Sequence, residues 1–347
     1  MRSIYFLLIM VVGLIPANAQ LNSEIFDFEF EGVVINGILN QPEAKEPKGL
    51  VLIIHGSGRT NAVAQEWYAD VRETILNAGY ATYMWDKMGC GKSGGTFDIN
   101  QPVQNSALEA IAAINTLKVK QIPGSEAIGL WGGSRAGWIN PLVINQYKDI
   151  KFWISVSGVD DKENFGYLLE QNLRIDGLPK DSVDLIVQEW KDGNKIGHSG
   201  GSYGAFLDAT QNLRETKFWL RFTGGEITKK SYYDFQPTFM KTAMDEKTGV
   251  PVVISGFETI LSNVKCPVLA LFGEKDMNVD WTKTKALYER TLAKNTELSI
   301  KSFPDCNHNM FKCNTGGFYE FQDNDLPYER CDGYLEAMGE WLLRSRW

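Results

Sequence analysis

Short, wholly apolar runs separated by amphipathic stretches constrain this chain more than any other feature. From Gly49 onward they recur at Leu50 to Ile54, Ala81 to Trp85, Ala127 to Trp131, Phe152 to Val156, Val268 to Phe272 and Leu298 to Phe303. A strand reads as continuously apolar when both its faces are buried, as in parallel sheets whose crossover helices cover the two sides. Helical patterns fill the gaps: residues 64–78, stopped at Gly79, then 104–118, 135–147, 281–292 and 328–343. The spacing therefore predicts an α/β fold, a mostly parallel central sheet flanked by helices. Ahead of it, alternation between Phe26 and Asn40 predicts two antiparallel strands that turn near Gly32.

The regular pattern breaks once. Residues 158–265 form a stretch of 108, whereas connections in α/β units run to about 2–6 residues, so this stretch reads as an inserted, largely helical lid subdomain. Helical runs are expected around Ser182 to Lys191 and Tyr203 to Phe222. Trp190, Tyr203, Phe206, Trp219, Phe222, Tyr232, Tyr233 and Phe235 give the segment an aromatic density that fits packed core as well as substrate contact. The sheet-based core expected around it comprises residues 20–157 and 266–347.

Residues 1–19 read as a signal peptide. Met1-Arg2 supplies a positive start, Ile4 to Ile15 a nearly all-apolar run, and Ala17-Asn18-Ala19 a small-x-small cleavage site. Twelve apolar residues fall short of the ~20 that a membrane-crossing helix needs, so cleavage before Gln20 and export to a periplasmic or secreted location are expected, with no stable membrane insertion afterwards. Removing 19 of the 347 residues leaves 328, enough for one elaborated domain. The chain is 44% hydrophobic and carries a net charge of −8, without basic clusters among aromatics, which excludes a nucleic-acid binder. Of five cysteines, Cys90 and Cys266 read as buried thiols. Cys306, Cys313 and Cys331 crowd the C-terminal region, where one disulfide of open connectivity is expected in an oxidising compartment.

The chemistry centres on Gly132-Gly133-Ser134-Arg135-Ala136-Gly137, which follows an apolar strand and opens a helix. A strand that turns sharply into a helix strains the serine and needs small residues two places before and after, which Gly132 and Ala136 supply. An unassisted hydroxyl is a poor nucleophile and requires a base. The chain order serine, acid, histidine selects His308 from His55, His198 and His308. The acid is expected at Asp276, just past the end of a strand where α/β sheets gather functional groups. Asp280 and Glu274 remain competitors, and Asp305 stands too close to His308 in the chain. Backbone N–H groups of Ser57, in His55-Gly56-Ser57-Gly58, and of Arg135 are the candidate oxyanion donors. His55 reads as a loop-positioning residue.

Taken in order, His55-Gly56-Ser57-Gly58, the stretch from Asp86 to Gly95, the Ser134 turn, Gly273-Glu274-Lys275-Asp276 and the His308 loop resemble the α/β-hydrolase superfamily along the whole mature chain. His308-Asn309-Met310-Phe311 followed by Thr315-Gly316-Gly317 is similar to the branch holding serine aminopeptidase-like, acyl-peptidase and esterase-like exported hydrolases. The resemblance implies a serine hydrolase with an acyl-enzyme, acting on a small ester, an amide or a short peptide, with no cofactor and no metal. Lys87-Met88 depart from the pattern, in which an Arg commonly precedes the first Gly. Ester hydrolysis is the first expectation. Peptidase, acyltransferase and thioesterase activities use the same triad, and a peptidase would want an acidic lid group such as Glu163, Glu170 or Glu226. A catalytically idle, ligand-binding hydrolase fold is the reading of another class. Gly89-Cys90-Gly91-Lys92-Ser93 lacks phosphate-loop spacing, and Cys306, His308 and Cys313 lack the fourth ligand of a zinc site.

Overall fold

The computed structural model describes residues 22–42 and 46–344, so the expected leader lies outside the described residues. Four short strands open it: β1 (Ser23–Ile25), β2 (Phe28–Phe30), β3 (Val33–Ile35) and β4 (Gly37–Asn40). β2 and β3 form a hairpin through Glu31 and Gly32, both at positive φ, while β1 pairs with β4 and β4 joins the main sheet through the next-but-one strand. The two antiparallel strands expected here are thus two separate pairings. The ladder breaks at Asn36, whose N–H goes instead to Ser93 Oγ at 2.9 Å.

The repeating units follow as β5 (Leu50–Ile54), α1 (Ala69–Asn77), β6 (Ala81–Trp85), α2 (Val103–Val119), β7 (Ile128–Gly133), α3 (Ala136–Gln146) and β8 (Phe152–Val156). Residues 158–265 hold α4 (Phe165–Ile175), α5 (Lys180–His198), α6 (Tyr203–Ala209), α7 (Gln211–Glu215), α8 (Lys217–Thr223), α9 (Lys229–Phe239), the hairpin β9 (Ala243–Asp245) and β10 (Val250–Val252), and α10 (Phe257–Ser262). The regular pattern then resumes with β11 (Val268–Gly273), α11 (Trp281–Thr291), β12 (Leu298–Phe303), α12 (Glu320–Asn324) and α13 (Tyr334–Arg344).

Among the described residues the main sheet has eight strands in the order β1-β4-β6-β5-β7-β8-β11-β12, parallel from β6 to β12. Alternation within each buried strand sorts side chains to opposite layers. Leu50, Leu52 and Ile54 of β5 pack with α2, α3, α10 and α11, whereas Val51 and Ile53 pack with α1 and α13. Each such Leu or Ile contributes roughly 1.5–3 kcal/mol by leaving water, which is why the runs are apolar on both faces. β5 lies between β6 and β7: the chain steps from β5 to β6 on one side and then crosses back past β5 to β7 on the other. The crevice at its carboxyl end is where this class of sheet places ligands.

A third apolar cluster, built from Leu168, Leu169, Leu173, Val183, Ile186, Trp190, Leu213 and Phe218, belongs to the inserted stretch itself. Phe257 and Leu261 of α10 pack instead on the sheet layer that holds α3 and α11. The helix expected over 203–222 is three helices, because Thr210 leaves helical geometry and Thr216 caps α8 with its side chain. The last helix starts at Tyr334 rather than near 328, since Cys331 is held in a disulfide and Gly333 has φ 79°.

Candidate active site

Ser134 occupies the turn between β7 and α3 with φ 54°, a left-handed conformation unusual for a residue bearing a Cβ. Its N–H donates to Val156 O at 2.9 Å, which fixes the turn against the end of β8. A Cβ at Gly132 would lie 2.5 Å from Ala136 Cβ and 2.6 Å from Asn140 Nδ2, so only glycine fits there. The loop after β5 lies against this turn, for a Cβ placed on Gly56 would come 3.4 Å from Ser134 Cβ. Neither the Ser57 N–H nor the Arg135 N–H donates to a protein acceptor among the described residues. One of these two amides lies in the loop that approaches the serine turn and the other at the start of the eleven-residue helix α3, whose dipole favours negative charge.

His308 and Asp276 form the second half of the site. Nδ1 of His308 donates to Asp276 Oδ2 at 2.7 Å, with the carboxylate fully buried. The other oxygen, Oδ1, accepts the N–H groups of Asn278 and Val279, each at 2.9 Å, so the acid is fixed on both sides. Engaging Nδ1 in this way assigns the proton there and leaves Nε2 as the basic nitrogen. The His308 carbonyl accepts from Ser157 Oγ at 2.7 Å, and Ser157 directly follows Val156, which holds Ser134. The end of β8 thus anchors the serine turn and the histidine loop side by side. Among the described residues the Ser134 hydroxyl and His308 Nε2 are not hydrogen-bonded to each other. Such contacts are commonly long in enzymes without substrate.

The histidine loop is secured from below. Asn307 Oδ1 accepts from the N–H groups of Asn309 and Phe311, Arg330 donates to Asn309 O at 2.7 Å, and Cys306 is joined to Cys331. Arg330 also pairs with Asp70 and lies over the Phe311 ring. Cys313 stays a free thiol, as do Cys90 and Cys266.

The competing residues have other partners. Asp280 caps α11 by accepting from Thr282 and Lys283, Glu274 accepts from Ser302 Oγ at 2.6 Å, and Asp305 pairs with Lys275 at 3.0 Å. His198, at the end of α5, bonds Thr242 O at 2.8 Å. His55 donates from Nε2 to Trp85 O at 2.7 Å, and burial together with nearby Lys87 holds its pKa down to about 3, so its ring is neutral. In the stretch after β6, the Asp86 carboxylate accepts from the Lys92 N–H and, from the loop after β5, the Val63 N–H. Of the acidic groups considered for the inserted stretch, Glu163 accepts from the Phe165 N–H and burial raises its pKa. Glu170 pairs with Arg174, and Glu226 is exposed.

Four residues near the site carried no functional reading in the sequence. Lys87 donates from Nζ to Gly56 O at 2.5 Å and Gly58 O at 2.9 Å. Ser157 and Arg330 hold the histidine loop as described. Tyr167, on α4, reaches Asp276 O at 3.2 Å. Only Lys87 left a trace, as part of the departure in the Asp86 stretch.

The sequence matches the family model described as serine aminopeptidase over residues 45–163 and that of the dienelactone hydrolase family over residues 254–337. No curated protein sequence matches it. Similar solved structures include the Pyrococcus furiosus esterase Pf2001, at TM-score 0.52 and 16% identity over 93% of this chain and 91% of that one. DcsB, in complex with its substrate analogue, has TM-score 0.53 and 16% identity over 93% and 98%. A proline iminopeptidase from Mycobacterium smegmatis has TM-score 0.51 and 14% identity over 92% and 98%. At such identities the likeness speaks for the fold, and the fold of this chain is that of the α/β-hydrolases.

Proposed function

We propose that this α/β-hydrolase chain is a serine hydrolase that forms an acyl-enzyme at Ser134, with carboxylic esters as its substrates. The observation that carries the reading is the 2.7 Å contact between His308 Nδ1 and a doubly anchored Asp276, on a loop fastened beside the Ser134 turn. His308 Nε2 takes the hydroxyl proton as the oxygen attacks the carbonyl carbon. The Ser57 and Arg135 amides receive the oxyanion, and the same imidazole returns the proton to the leaving alcohol. Water activated by His308 then releases the acid. Asp276 holds the ring's tautomer and stabilises the imidazolium.

The test combines short-chain p-nitrophenyl esters, intact-mass detection of a fluorophosphonate adduct, and Ser134→Ala. Wild type is expected to turn over and to gain one adduct, whereas the variant falls in kcat by on the order of 10⁴-fold and gains none. Equal turnover by the two proteins would overturn the proposal. The match to the serine aminopeptidase model over 45–163 favours a second reading, hydrolysis of aminoacyl amides on the same triad. Arylamide turnover well above ester turnover would put it first.

Two further elements belong to this reading. Residues 158–265 act as a cap over the site, supported by their separate apolar cluster and by Tyr167 touching the Asp276 loop. The protein is exported, with residues 1–19 removed. The Cys306–Cys331 disulfide supports an oxidising location, and an N-terminus at Gln20 on the mature protein is the measurement that checks it.

A further inference from the structure

Among the described residues, Lys87 is the one amine that grips the loop carrying the candidate oxyanion amide. Its Nζ donates to Gly56 O at 2.5 Å and to Gly58 O at 2.9 Å, one carbonyl on each side of Ser57. Gly56 C=O and Ser57 N–H belong to a single planar trans peptide, so the two groups point in opposite directions. Whatever fixes the carbonyl therefore aims the N–H. Gly56 lacks the side chain that would otherwise limit its ψ, one of the two torsions about which this peptide turns, and Gly58 has φ 86°, open only to glycine at little cost. The peptide between them therefore takes its orientation in part from what holds its carbonyl.

The tether is itself braced from behind. Beside Lys87 lies a small cavity of about 20 Å³, lined by His55, Trp85, Glu109, Arg135 and others, with room for roughly one water. Glu109 accepts from Trp85 Nε1 at 2.6 Å, and Arg135 donates to Ser106 Oγ and to Gln101 O. His55 Nδ1 is buried without a protein partner beside this cavity. Burial and the Arg135 charge bring the Lys87 pKa down to about 7, with Glu109 and Cys90 acting against them. A desolvated amine with two carbonyl acceptors and a fixed surround has few alternative positions.

We infer that Lys87 is a positioning residue for acyl transfer: by holding the carbonyls of Gly56 and Gly58 it turns the Ser57 N–H toward the oxyanion that forms at Ser134. The inference rests on the serine-hydrolase reading and deepens it. The loop geometry matters only when the carbonyl becomes tetrahedral, so loss of the tether weakens transition-state binding more than ground-state binding.

The experiment compares wild type, Lys87→Met and Lys87→Arg with a p-nitrophenyl ester, a boronic acid that forms a tetrahedral adduct, and the product carboxylate as a ground-state competitor. Thermal unfolding checks that each variant is folded. Lys87→Met is expected to lose about 10–100-fold in kcat, less than the loss of an oxyanion donor itself, with KM and carboxylate affinity nearly unchanged. Boronate affinity should fall in parallel with kcat/KM, and Lys87→Arg, which can still reach carbonyls, should recover part of the loss. Unchanged kcat in Lys87→Met, or equal weakening of boronate and carboxylate, overturns the inference while leaving the Ser134 chemistry standing. Absence of a fluorophosphonate adduct on wild type overturns both.

Discussion

Ser134 is held at φ 54° by the hydrogen bond from its N–H to Val156 O and by the crowding of Gly132, Ala136 and Gly56 around it. For an L-residue with a Cβ this backbone region costs roughly 1–2 kcal/mol. The strain is what lifts the hydroxyl out of the line of β7, and it is independent of the chemistry proposed for the hydroxyl. Ser134→Ala and Ser134→Gly should therefore be equally inactive yet differ in stability. Glycine relieves the left-handed strain and alanine retains it, so the glycine variant should unfold at higher denaturant, by about 1 kcal/mol after allowing for its larger unfolded-state entropy. Equal midpoints in urea for the two variants would mean that the strain is no larger than the unfolded-state entropy that glycine adds.

At the scale of elements, the segment from β12 to α13 is less regular than its role implies. It carries His308 through a tight turn, and three fastenings substitute for a ladder: the Asn307 side chain, Arg330 on Asn309 O, and the Cys306–Cys331 bond. The bond spans 25 residues, and closing a loop of that length in the unfolded chain amounts to about 3–4 kcal/mol in the chain-entropy account. Cys331→Ser is expected to lose stability of that order in denaturant unfolding, and reductant should then have no further effect on the variant. How much of this was legible follows from the type of signal. Buried strands announce themselves by apolar runs, and Ser134, Asp276 and His308 stand just beyond three of those runs, so their positions could be read. Ser157, Arg330 and Lys87 act by hydrogen bonds to backbone carbonyls that lie 151, 21, and 31 and 29 residues away. A carbonyl has no residue-specific signature, and nothing in a local pattern marks which side chain will meet it. The split of the 203–222 run at Thr210 and Thr216 was hidden for another reason. Threonine is tolerated inside a helix and also caps one, and packing decides which occurs.

For the molecule as a whole, the division of apolar clusters bears on how the site opens. The two layers on the sheet are extensive and share β5, β7, β8 and β11, while within residues 158–265 the helices α4, α5, α7 and α8 build one smaller cluster and α10 packs on the sheet. The seam of these residues with the histidine-loop region is partly aromatic, with Phe218 and Phe222 against Phe318 and Arg221 over the Tyr319 ring, and its polar contacts are few. Arg221 pairs with Asp323 through both carboxylate oxygens, Asn172 accepts from the Phe318 N–H at 2.8 Å, and Tyr167 touches Asp276 O. The Arg221 and Asp323 side chains are 34% and 52% exposed, and an ion pair so placed contributes about 0–1 kcal/mol. A unit with a small core of its own is expected to open at a lower free energy than the sheet. Native-state hydrogen exchange should accordingly show amides of α4 to α9 opening at a free energy several kcal/mol below that of β5, β7 and β8. If the unit is a cap on an acylated serine, a fluorophosphonate adduct at Ser134 should slow exchange in α4, which carries Tyr167, more than in α9 at the far side of the cluster. A single opening free energy for insert and sheet would mean that the molecule moves as one cooperative body, and substrate would then have to enter through a cleft already open.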